Sequence, residues 1–312
     1  MRWLIFLNNK PTLANEWLDV CSGCEISVLG LHERIIDLLE NVEIKYSPVL
    51  MDTKEVPEVD IGLVTGGIRN EKQAEDAREM RDKSDILVAV GTCAVAGGVQ
   101  GLGNLSTRKA LLEEVYGDGE GTVNPHGRPP SEQVPDLTDR VYRLSEYVDV
   151  DFEVPGCPPP SNLILDILTD VIEGKEPNSP DSTVCDECPF EYSGEKLNKI
   201  DRWSINKDAD TDGPCLLDQG VLCLGGATVA GCNAPCPESG VPCFGCSGPH
   251  PEEADQAAEI IRIVSDVLDL EEEYPDLDLD RIRVEDIPGS FYMFSLASSV
   301  LAEKLEGQAN AR

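Results

Sequence analysis

Cysteine is the residue of this sequence with the greatest capacity for chemistry, and the 312-residue chain contains twelve. Four lie in three separate motifs: Cys21 and Cys24 in CSGC, Cys93 in GTCA, and Cys157 in PGCPPP. The others are crowded between residues 184 and 249: Cys185, Cys188, Cys215, Cys223, Cys232, Cys236, Cys243 and Cys246. Two thiols at two-residue spacing indicate a metal-binding or redox role. Twelve divides into three sets of four, the ligand number of a tetrahedral zinc site or a 4Fe-4S cluster.

Zinc and iron are the two metals that fit this spacing. The first set is the one formed by the three separate motifs. By order along the chain, the second set is Cys185, Cys188, Cys215 and Cys223, and the third set is Cys232, Cys236, Cys243 and Cys246. Zinc ribbons usually place cysteines on β-hairpin knuckles, whereas GCNAPC and PCFGC are wrapped by Gly and Pro in the manner of iron–sulfur ligand loops. The local sequence therefore favours iron–sulfur clusters, and a zinc-stabilised interaction module is the alternative.

Compartment and charge narrow the possible functions. The N-terminus MRWLIFLNNK has no export signal, which predicts a cytoplasmic protein whose thiols stay reduced. No apolar run reaches eighteen residues, so we predict no membrane anchor. The 59 acidic and 25 basic residues give a net charge of −34, which excludes nucleic acid as a partner because phosphates would be repelled. Such acidity is typical of a solvated surface in a high-salt cytoplasm.

Strands and helices alternate through the first 174 residues. The predicted strands are 12–19, 42–50, 60–64, 85–90 and 148–154. The predicted helices are an amphipathic one carrying Val28, Leu31, Ile35 and Leu38, a polar one at 71–82, and one capped by Ser161 that carries Leu163, Ile164, Ile167, Leu168 and Val171. Alternation of this kind predicts an α/β fold with a doubly wound parallel sheet.

Each cysteine motif of the first set follows a predicted strand. In an open α/β sheet, the loops at the carboxyl ends of the strands converge on one crevice. We therefore expect the four thiols of the first set to face one another there. Gly23, Gly91 and Gly156 fit this expectation, since a backbone that wraps closely around a cluster needs small residues with unusual dihedral angles.

A second unit is predicted to begin at the linker KEPNSPDST, residues 175–183. We expect residues 1–175 to form a domain that holds the first set, and residues 176–312 to form a cysteine-rich domain that holds the other two sets. The stretch 184–249 shows few helix or strand patterns and can hardly build a core alone. Metal clusters are therefore expected to organise it.

Three further segments complete the predicted organisation. Residues 117–134, rich in Gly and Pro, are expected to be an irregular surface insertion. An acidic helix is predicted at about 252–269, followed by the segment EEEYPDLDLD. The amphipathic segment 292–305 is expected to pack back onto a domain, so that the chain ends in an acidic, helical tail.

Seven motifs give the chain a resemblance over nearly its whole length. They are CSGCEIS, LVTGG, GTCAVAGGVQGLGN, VDFEVPGCPPP, VCDEC, CLLDQGVLCLG and GCNAPCPESGVPCFGCSGP. In order and spacing they resemble the small subunit of cytoplasmic nickel–iron hydrogenases, most closely the gamma subunit of the methyl-viologen-reducing, heterodisulfide-reductase-associated enzymes. The delta subunit of NADP-dependent sulfhydrogenases and a quinone-reductase cluster subunit are the alternatives. The implied fold is a flavodoxin-like doubly wound parallel sheet followed by an irregular iron–sulfur cluster domain.

The resemblance implies three 4Fe-4S clusters that form an electron pathway. The first set would hold the proximal cluster, nearest the nickel–iron centre of a partner large subunit; the third set would hold the medial cluster and the second set the distal one. This chain, without a catalytic residue of its own, would pass electrons from H2 to an accepting partner, either a heterodisulfide reductase module or a flavoprotein. Glu25, beside Cys24, is either a proton relay or a carboxylate stabilised by the helix dipole.

Overall fold

Regular structure is dense in the first half of the protein and sparse in the second. The computed structural model describes residues 10–302 apart from 49, 120, 122, 125, 203–209, 211–212, 254, 269–281 and 285. The strands are β1 (Thr12–Trp17), β2 (Glu43–Tyr46), β3 (Val59–Thr65), β4 (Ile68–Asn70), β5 (Ser84–Val90), β6 (Leu137–Tyr142), β7 (Phe152–Val154), β8 (Ile200–Asp201) and β9 (Ile282–Arg283). The helices are α1 (Gly23–Leu29), α2 (Arg34–Asn41), α3 (Glu71–Lys83), α4 (Thr92–Ala96), α5 (Arg108–Glu113), α6 (Ser161–Ile172), α7 (Val184–Glu187), α8 (Pro235–Glu238), α9 (Gln256–Val267) and α10 (Ile287–Phe291).

Five parallel strands form the main sheet, in the order β2-β1-β3-β5-β7. Counted among themselves, these strands run 2-1-3-4-5, which is the flavodoxin-like arrangement. The strand order reverses between β1 and β3, and such a reversal opens a crevice at the carboxyl ends of the strands. The prediction of an α/β fold with a flavodoxin-like, doubly wound parallel sheet is confirmed.

Apolar side chains cover both faces of this sheet. On one face, α3 buries Ala74, Ala77 and Met80 in a cluster with residues of β3 and β5. On the other face, α6 buries Ile164 and Ile167 in a second cluster. The last four residues of β5 are all buried, as expected of a central strand that is covered on both sides. The two helix layers therefore hold the carboxyl edge of the sheet in place.

The single amphipathic helix predicted through Val28 and Leu38 is wrong, because the chain forms two helices there. The break lies at residues 30–33, between α1 and α2. Gly30 approaches α6 so closely that a Cβ would lie 2.8 Å from Ser161 Oγ. His32 has a φ of 52°, which a right-handed helix cannot accommodate. The predicted helix at 71–82 is confirmed as α3, which begins at a capping box formed by Asn70 and Gln73.

Other predicted boundaries change for local reasons. Ser161 is the first residue of α6 rather than its cap, and its hydroxyl donates a hydrogen bond to the Ser27 carbonyl at 2.6 Å. The predicted strand at 148–154 is reduced to β7, whose pairing with β5 begins only at Phe152, opposite Val88. The strands β4 and β6 pair antiparallel and were not predicted, since three residues of β4 are too few to show an alternating pattern.

The region 184–249 is nearly free of regular structure, as predicted. Its described residues form α7, β8, α8 and a 3-10 turn at Gly225–Ala227. The predicted acidic helix is α9, whose first N–H groups donate to the Asp255 carboxylate. Helix α9 buries Ile260 and Val264 in an apolar cluster with Leu222 and Leu296. The described residues of 117–134 are irregular, apart from the end of a π-helical turn at Glu114–Asp118.

The C-terminal segment packs back onto the first half, as predicted for 292–305, as far as residue 302. Ala297 lies against Gly97 so closely that a Cβ on Gly97 would overlap the Ala297 Cβ. Residues 303–305, the segment EEEYPDLDLD and residues 1–9 lie outside the described part of the chain. No helix formed by the described residues has the length and apolarity to cross a bilayer. The division into domains at residues 175 and 176 stays a prediction.

Candidate metal centres

The first set of cysteines lies at the carboxyl edge of the parallel sheet. Cys21 follows β1, Cys93 follows β5 and Cys157 follows β7, while Cys24 lies in the first turn of α1. The Cys24 thiol is close enough to the other three thiols for each of them to raise its pKa. The structure therefore brings together the four thiols that the sequence predicted to meet, and their ligation of a metal stays a prediction.

Burial dominates the electrostatics of these thiols. It raises the pKa of Cys24 to about 12, and Glu25 and the neighbouring thiols add to the effect. Burial, together with Cys93, Cys246 and Cys21, also raises the pKa of Cys157 to about 12. Metals bind the thiolate rather than the thiol. Sulfurs crowded in this way ionise together only when positive charge is bound among them, which suits a metal-cluster site.

Two glycines keep the space beside these sulfurs free. Gly91 has a φ of +88°, and a Cβ there would overlap Cys24 Sγ. Gly98 has a φ of +64°, and a Cβ there would lie 2.6 Å from Cys93 Sγ. Both positions therefore require glycine on conformational and steric grounds. Gly156, as predicted, also has a positive φ, whereas Gly23 is an ordinary residue of α1.

Gln100 contacts the first set, and its role was not predicted. Its Oε1 lies 3.4 Å from Cys93 Sγ, and its Nε2 donates a hydrogen bond to the Asp19 carbonyl at 2.8 Å. Gln100 thus links the loop after β5 to the loop after β1. The residue belongs to the motif GTCAVAGGVQGLGN, but a glutamine in a glycine-rich stretch gives no signal of such a contact.

The second set lines a cavity of about 360 Å³. Its four cysteines share that cavity with Phe190, Tyr192 and Gly225. Burial raises the pKa of Cys185 to about 12, and Cys223, Cys215 and Cys188 raise it further. Gly225 forms part of the wall, where a Cβ would lie 3.2 Å from Cys185 Sγ. The cavity therefore has the donors and the room for a metal cluster.

The third set is assembled from one short stretch of chain around α8. The thiol of Cys232 lies near those of Cys246 and Cys236, and the thiol of Cys243 lies near that of Cys246. Burial raises the pKa of Cys232, Cys243 and Cys246. All four thiols of this set are therefore neighbours in space as well as in sequence.

Backbone N–H groups point at several of these sulfurs. In four cases the donor lies two residues after the cysteine: Leu217 to Cys215, Gly225 to Cys223, Ala234 to Cys232, and Gly245 to Cys243. Each of these hydrogen bonds lowers the pKa of the thiol, which burial raises, and so favours the thiolate. Hydrogen bonds to sulfur are also one of the means by which proteins set cluster potentials. The backbone of the second and third sets is thus arranged for anionic sulfur.

The three sets touch one another in the order first, third, second. The amide of Cys157, in the first set, donates a hydrogen bond to the Cys246 thiol of the third set. The amide of Cys243, in the third set, donates to Cys223 Sγ of the second set at 3.2 Å. The order in space therefore differs from the order along the chain.

Zinc sites and iron–sulfur clusters differ in how their four donor atoms are placed. In the part of the chain that the structure describes, which includes every cysteine, no three His, Cys, Asp or Glu side chains converge on a point where one metal ion would bind. A zinc site needs all four donors around one ion. A four-iron cluster attaches each thiolate to a different iron, so its ligand sulfurs lie farther apart.

Glu25 has a hydrogen-bond partner that neither interpretation of it predicted. Its Oε1 accepts a hydrogen bond from Thr65 Oγ1 at 2.6 Å, at the carboxyl end of β3. Its Oε2 is buried and accepts no hydrogen bond from the described residues. The carboxylate also lies in the first turn of α1, as the helix-dipole interpretation requires.

Comparison with known proteins agrees with this geometry. Residues 21–171 match the family described as NADH ubiquinone oxidoreductase, 20 Kd subunit. The G subunit of the F420-non-reducing hydrogenase of Methanothermobacter thermautotrophicus is 40% identical, over 95% of this chain and 98% of its own length. The vhu G subunit of the F420-non-reducing hydrogenase of Methanocaldococcus jannaschii is 41% identical, over 82% and 88%.

Similarity extends to a solved structure. A chain of an NAD+-reducing [NiFe]-hydrogenase in the H2-reduced state superposes with a TM-score of 0.53 at 36% identity, covering 55% of this chain and 96% of its own. The quinone-reductase alternative accounts only for residues 21–171, whereas the hydrogenase relatives also cover the eight later cysteines. The chain therefore belongs to the family of F420-non-reducing hydrogenase G subunits, the iron–sulfur small subunits of nickel–iron hydrogenases.

Proposed function

We propose that this chain carries electrons from H2 oxidation at a nickel–iron large subunit to an electron-accepting subunit, through three 4Fe-4S clusters, in a cytoplasmic complex. The first set would hold the proximal cluster, the third set the medial cluster and the second set the distal cluster. The observation that supports this assignment is the contact order of the sets, in which the first touches the third and the third touches the second. Cysteine sets that contact one another in sequence can form an electron pathway, whereas separate structural metal sites would need no such contacts.

The chain's own residues perform three tasks in this function. A bound 4Fe-4S cluster supplies one-electron chemistry. The cysteines hold the cluster, the apolar surroundings of Cys24, Cys223 and Cys243 exclude water from it, and the backbone N–H groups stabilise negative charge on sulfur. Burial and N–H donors act on the reduction potential in opposite directions, so their balance sets the potential of each cluster.

The two ends of the pathway reach the surface of this chain. Cys21 of the first set is exposed, and so is Cys185 of the second set, in the cavity beside Tyr192. We assign the Cys21 end to the large subunit. We assign the Cys185 end to the electron acceptor, a heterodisulfide reductase module or a flavoprotein.

Metal analysis and electron paramagnetic resonance of the complex, purified without oxygen, test this function. We expect about twelve irons for each copy of this chain, from four in each cluster, and three separable signals on stepwise reduction. The buried ligands provide one variant for each set: Cys24→Ser, Cys243→Ser and Cys223→Ser. Cys24→Ser should alter one signal and leave the other two as internal controls. Cys243→Ser and Cys223→Ser, whose side chains share one apolar cluster, should each alter the signal of their own set most and leave the first-set signal unchanged.

Two results would contradict the function. Zinc in place of iron would show that the cysteines form structural sites. Three clusters that H2 cannot reduce in the intact complex, although dithionite can, would show that the chain is not the pathway from the large subunit. In that second case, a Cys223→Ser variant with unchanged H2-to-dye electron transfer would confirm that the distal site is not used.

A further inference from the structure

Thr92 lies at the junction of the first and third sets, directly before Cys93. It is buried, with 1% of its surface exposed. Its Oγ1 donates a hydrogen bond to the Cys246 carbonyl at 2.6 Å and accepts one from the Gly156 amide at 3.1 Å. The Thr92 amide also donates to the Gly156 carbonyl at 2.9 Å. One hydroxyl thus joins its own loop to two segments that lie 64 and 154 residues away along the chain.

These bonds close a ring between two ligand loops. Gly156 precedes Cys157, and the Cys157 amide donates to the Cys246 thiol. The ring therefore runs from the Gly156 amide to the Thr92 hydroxyl, on to Cys246, and back through the Cys157 amide. Hydrogen bonds linked in this way strengthen one another in a buried setting. The ring fixes Cys157 and Cys246 relative to each other.

The other junction, between the third and second sets, is built differently. There the Cys243 amide donates to Cys223 Sγ at 3.2 Å, and the Leu224 amide donates to the Cys243 carbonyl at 2.9 Å. Both donors are backbone amides, and the acceptors are a cysteine sulfur and a backbone carbonyl. The first junction is joined through the hydroxyl of Thr92, a side chain that is not itself one of the cysteines.

We propose that the Thr92 hydroxyl is a positioning group that sets the spacing and relative orientation of the first and third cysteine sets, and thereby the rate of electron transfer between the clusters they hold. This role rests on the proposed function. Without the hydroxyl, the Cys246 carbonyl and the Gly156 amide lose their buried partner, and each is driven toward another one. The two loops then separate or turn, and electron transfer between buried centres slows steeply as the gap widens.

The test compares Thr92→Val with Thr92→Ser in the intact complex. Valine keeps the shape of threonine without the hydroxyl, whereas serine keeps the hydroxyl. Thr138→Val is the matched control, because the Thr138 hydroxyl is also buried and donates to a backbone carbonyl, that of Arg140, at 2.6 Å. Thr138 lies on β6, away from the cysteine sets.

Two readouts separate positioning from a general loss of stability. The first is the rate of electron transfer from H2 to a dye, which we expect Thr92→Val to slow about tenfold, a typical effect of losing a group that supports metal ligands. The second is the magnetic interaction between the reduced first-set and third-set clusters, which reports their distance and orientation. We expect Thr92→Val to change that interaction, and Thr92→Ser and Thr138→Val to leave it unchanged.

A second pair of variants covers a failure of Thr92→Val to fold. Thr92→Ala removes the hydroxyl without crowding, and Thr92→Ser restores it. Loss of third-set iron in Thr92→Ala but not in Thr92→Ser would support the role, and equal iron, rate and magnetic interaction in the two would overturn it. Fewer than three clusters in the unsubstituted complex would refute the proposed function itself. Three clusters with the same spectra and rates in Thr92→Val would refute only the role of the hydroxyl.

Discussion

The parallel sheet and the region 184–249 hold cysteines by opposite means. One apolar cluster covers each face of the sheet, and the first set lies at the sheet edge that these two clusters hold in place. In residues 184–249, the apolar cluster around Val184 itself contains Cys223 and Cys243, with Cys188, Cys215 and Cys232 at its margin. Cys24 is the one cysteine among the buried members of the two sheet clusters, whereas Cys223 and Cys243 are two of the seven buried members of the cluster around Val184. We therefore expect metal binding and folding to be separable in the sheet and coupled in residues 184–249.

Removal of the iron–sulfur clusters is expected to have the largest effect on folding, and to destabilise the two regions unequally. Structural metal sites contribute on the order of 10 kcal/mol to the folding of small domains. After chelation under reducing conditions, the amides of residues 184–249 should exchange hydrogen nearly as fast as an open chain. Those of β3 and β5 should stay protected. Hydrogen-exchange mass spectrometry measures both, and equal loss of protection in the two regions would break the comparison.

Truncation of a buried side chain in the sheet should destabilise the sheet and leave the metal sites of residues 184–249 unaffected. Leu87, on β5, is fully buried. We expect Leu87→Ala to lower the free energy of unfolding of the sheet by about 2–5 kcal/mol, through lost contacts and the cavity left behind. The signals of the second and third sets should be unchanged at temperatures where the sheet stays folded. Leu105→Ala, at a side chain that is 47% exposed, is the matched control and should change the denaturation midpoint little.

A glycine substitution tests whether the sheet supports its own cluster site. Gly91→Ala forces a φ of +88° on alanine and places a Cβ against Cys24 Sγ. We expect a strain of about 1–3 kcal/mol and loss of iron from the first set alone. Gly117→Ala, where an added Cβ meets no atom within 4 Å, should leave the iron content unchanged. Loss of iron from all three sets in Gly91→Ala would mean that the regions are not independent.

The smallest expected effect lies on the surface of α9. A hydrogen bond from Arg262 holds the pKa of Glu259 below its ordinary value of 4.5. A lowered pKa in the folded state stabilises the protein above pH 4.5, and this stabilisation is lost as the pH falls through the folded-state pKa. Glu259→Gln should therefore lower the denaturation midpoint slightly at neutral pH. The difference should vanish in acid and shrink in high salt; a difference that grows in acid would contradict the assignment.

The sequence predicted those parts of the fold that depend on neighbouring residues. The apolar run at 85–90 identified β5, and the motifs after the predicted strands identified the first set. The break at Gly30 and His32 could not be predicted, because it depends on contact with Ser161, far along the chain. The same reason applies to Gln100, whose partner Asp19 lies 81 residues away, and to Thr92, whose partners lie 64 and 154 residues away.

The spatial order of the second and third sets could not be worked out from the residues alone. Both sets lie in one irregular region, where no strand or helix pattern places one loop beside another. Only the resemblance to hydrogenase small subunits implied that the third set lies in the middle. The contacts of Cys246 with the first set and of Cys243 with the second agree with that order. Which cluster each set ligates stays a prediction.

Each set contains cysteines of unequal exposure, and this has a consequence for assembly. One cysteine of each set is exposed, namely Cys21, Cys185 and Cys236, and one is buried, namely Cys24, Cys223 and Cys243. A carrier protein that delivers a preformed cluster to the isolated chain would meet the exposed thiol first and the buried one last, so insertion has a direction. Before the chain joins its partner subunits, oxidants reach the same exposed sulfurs first. Maturation and oxidative damage therefore share one route into each site.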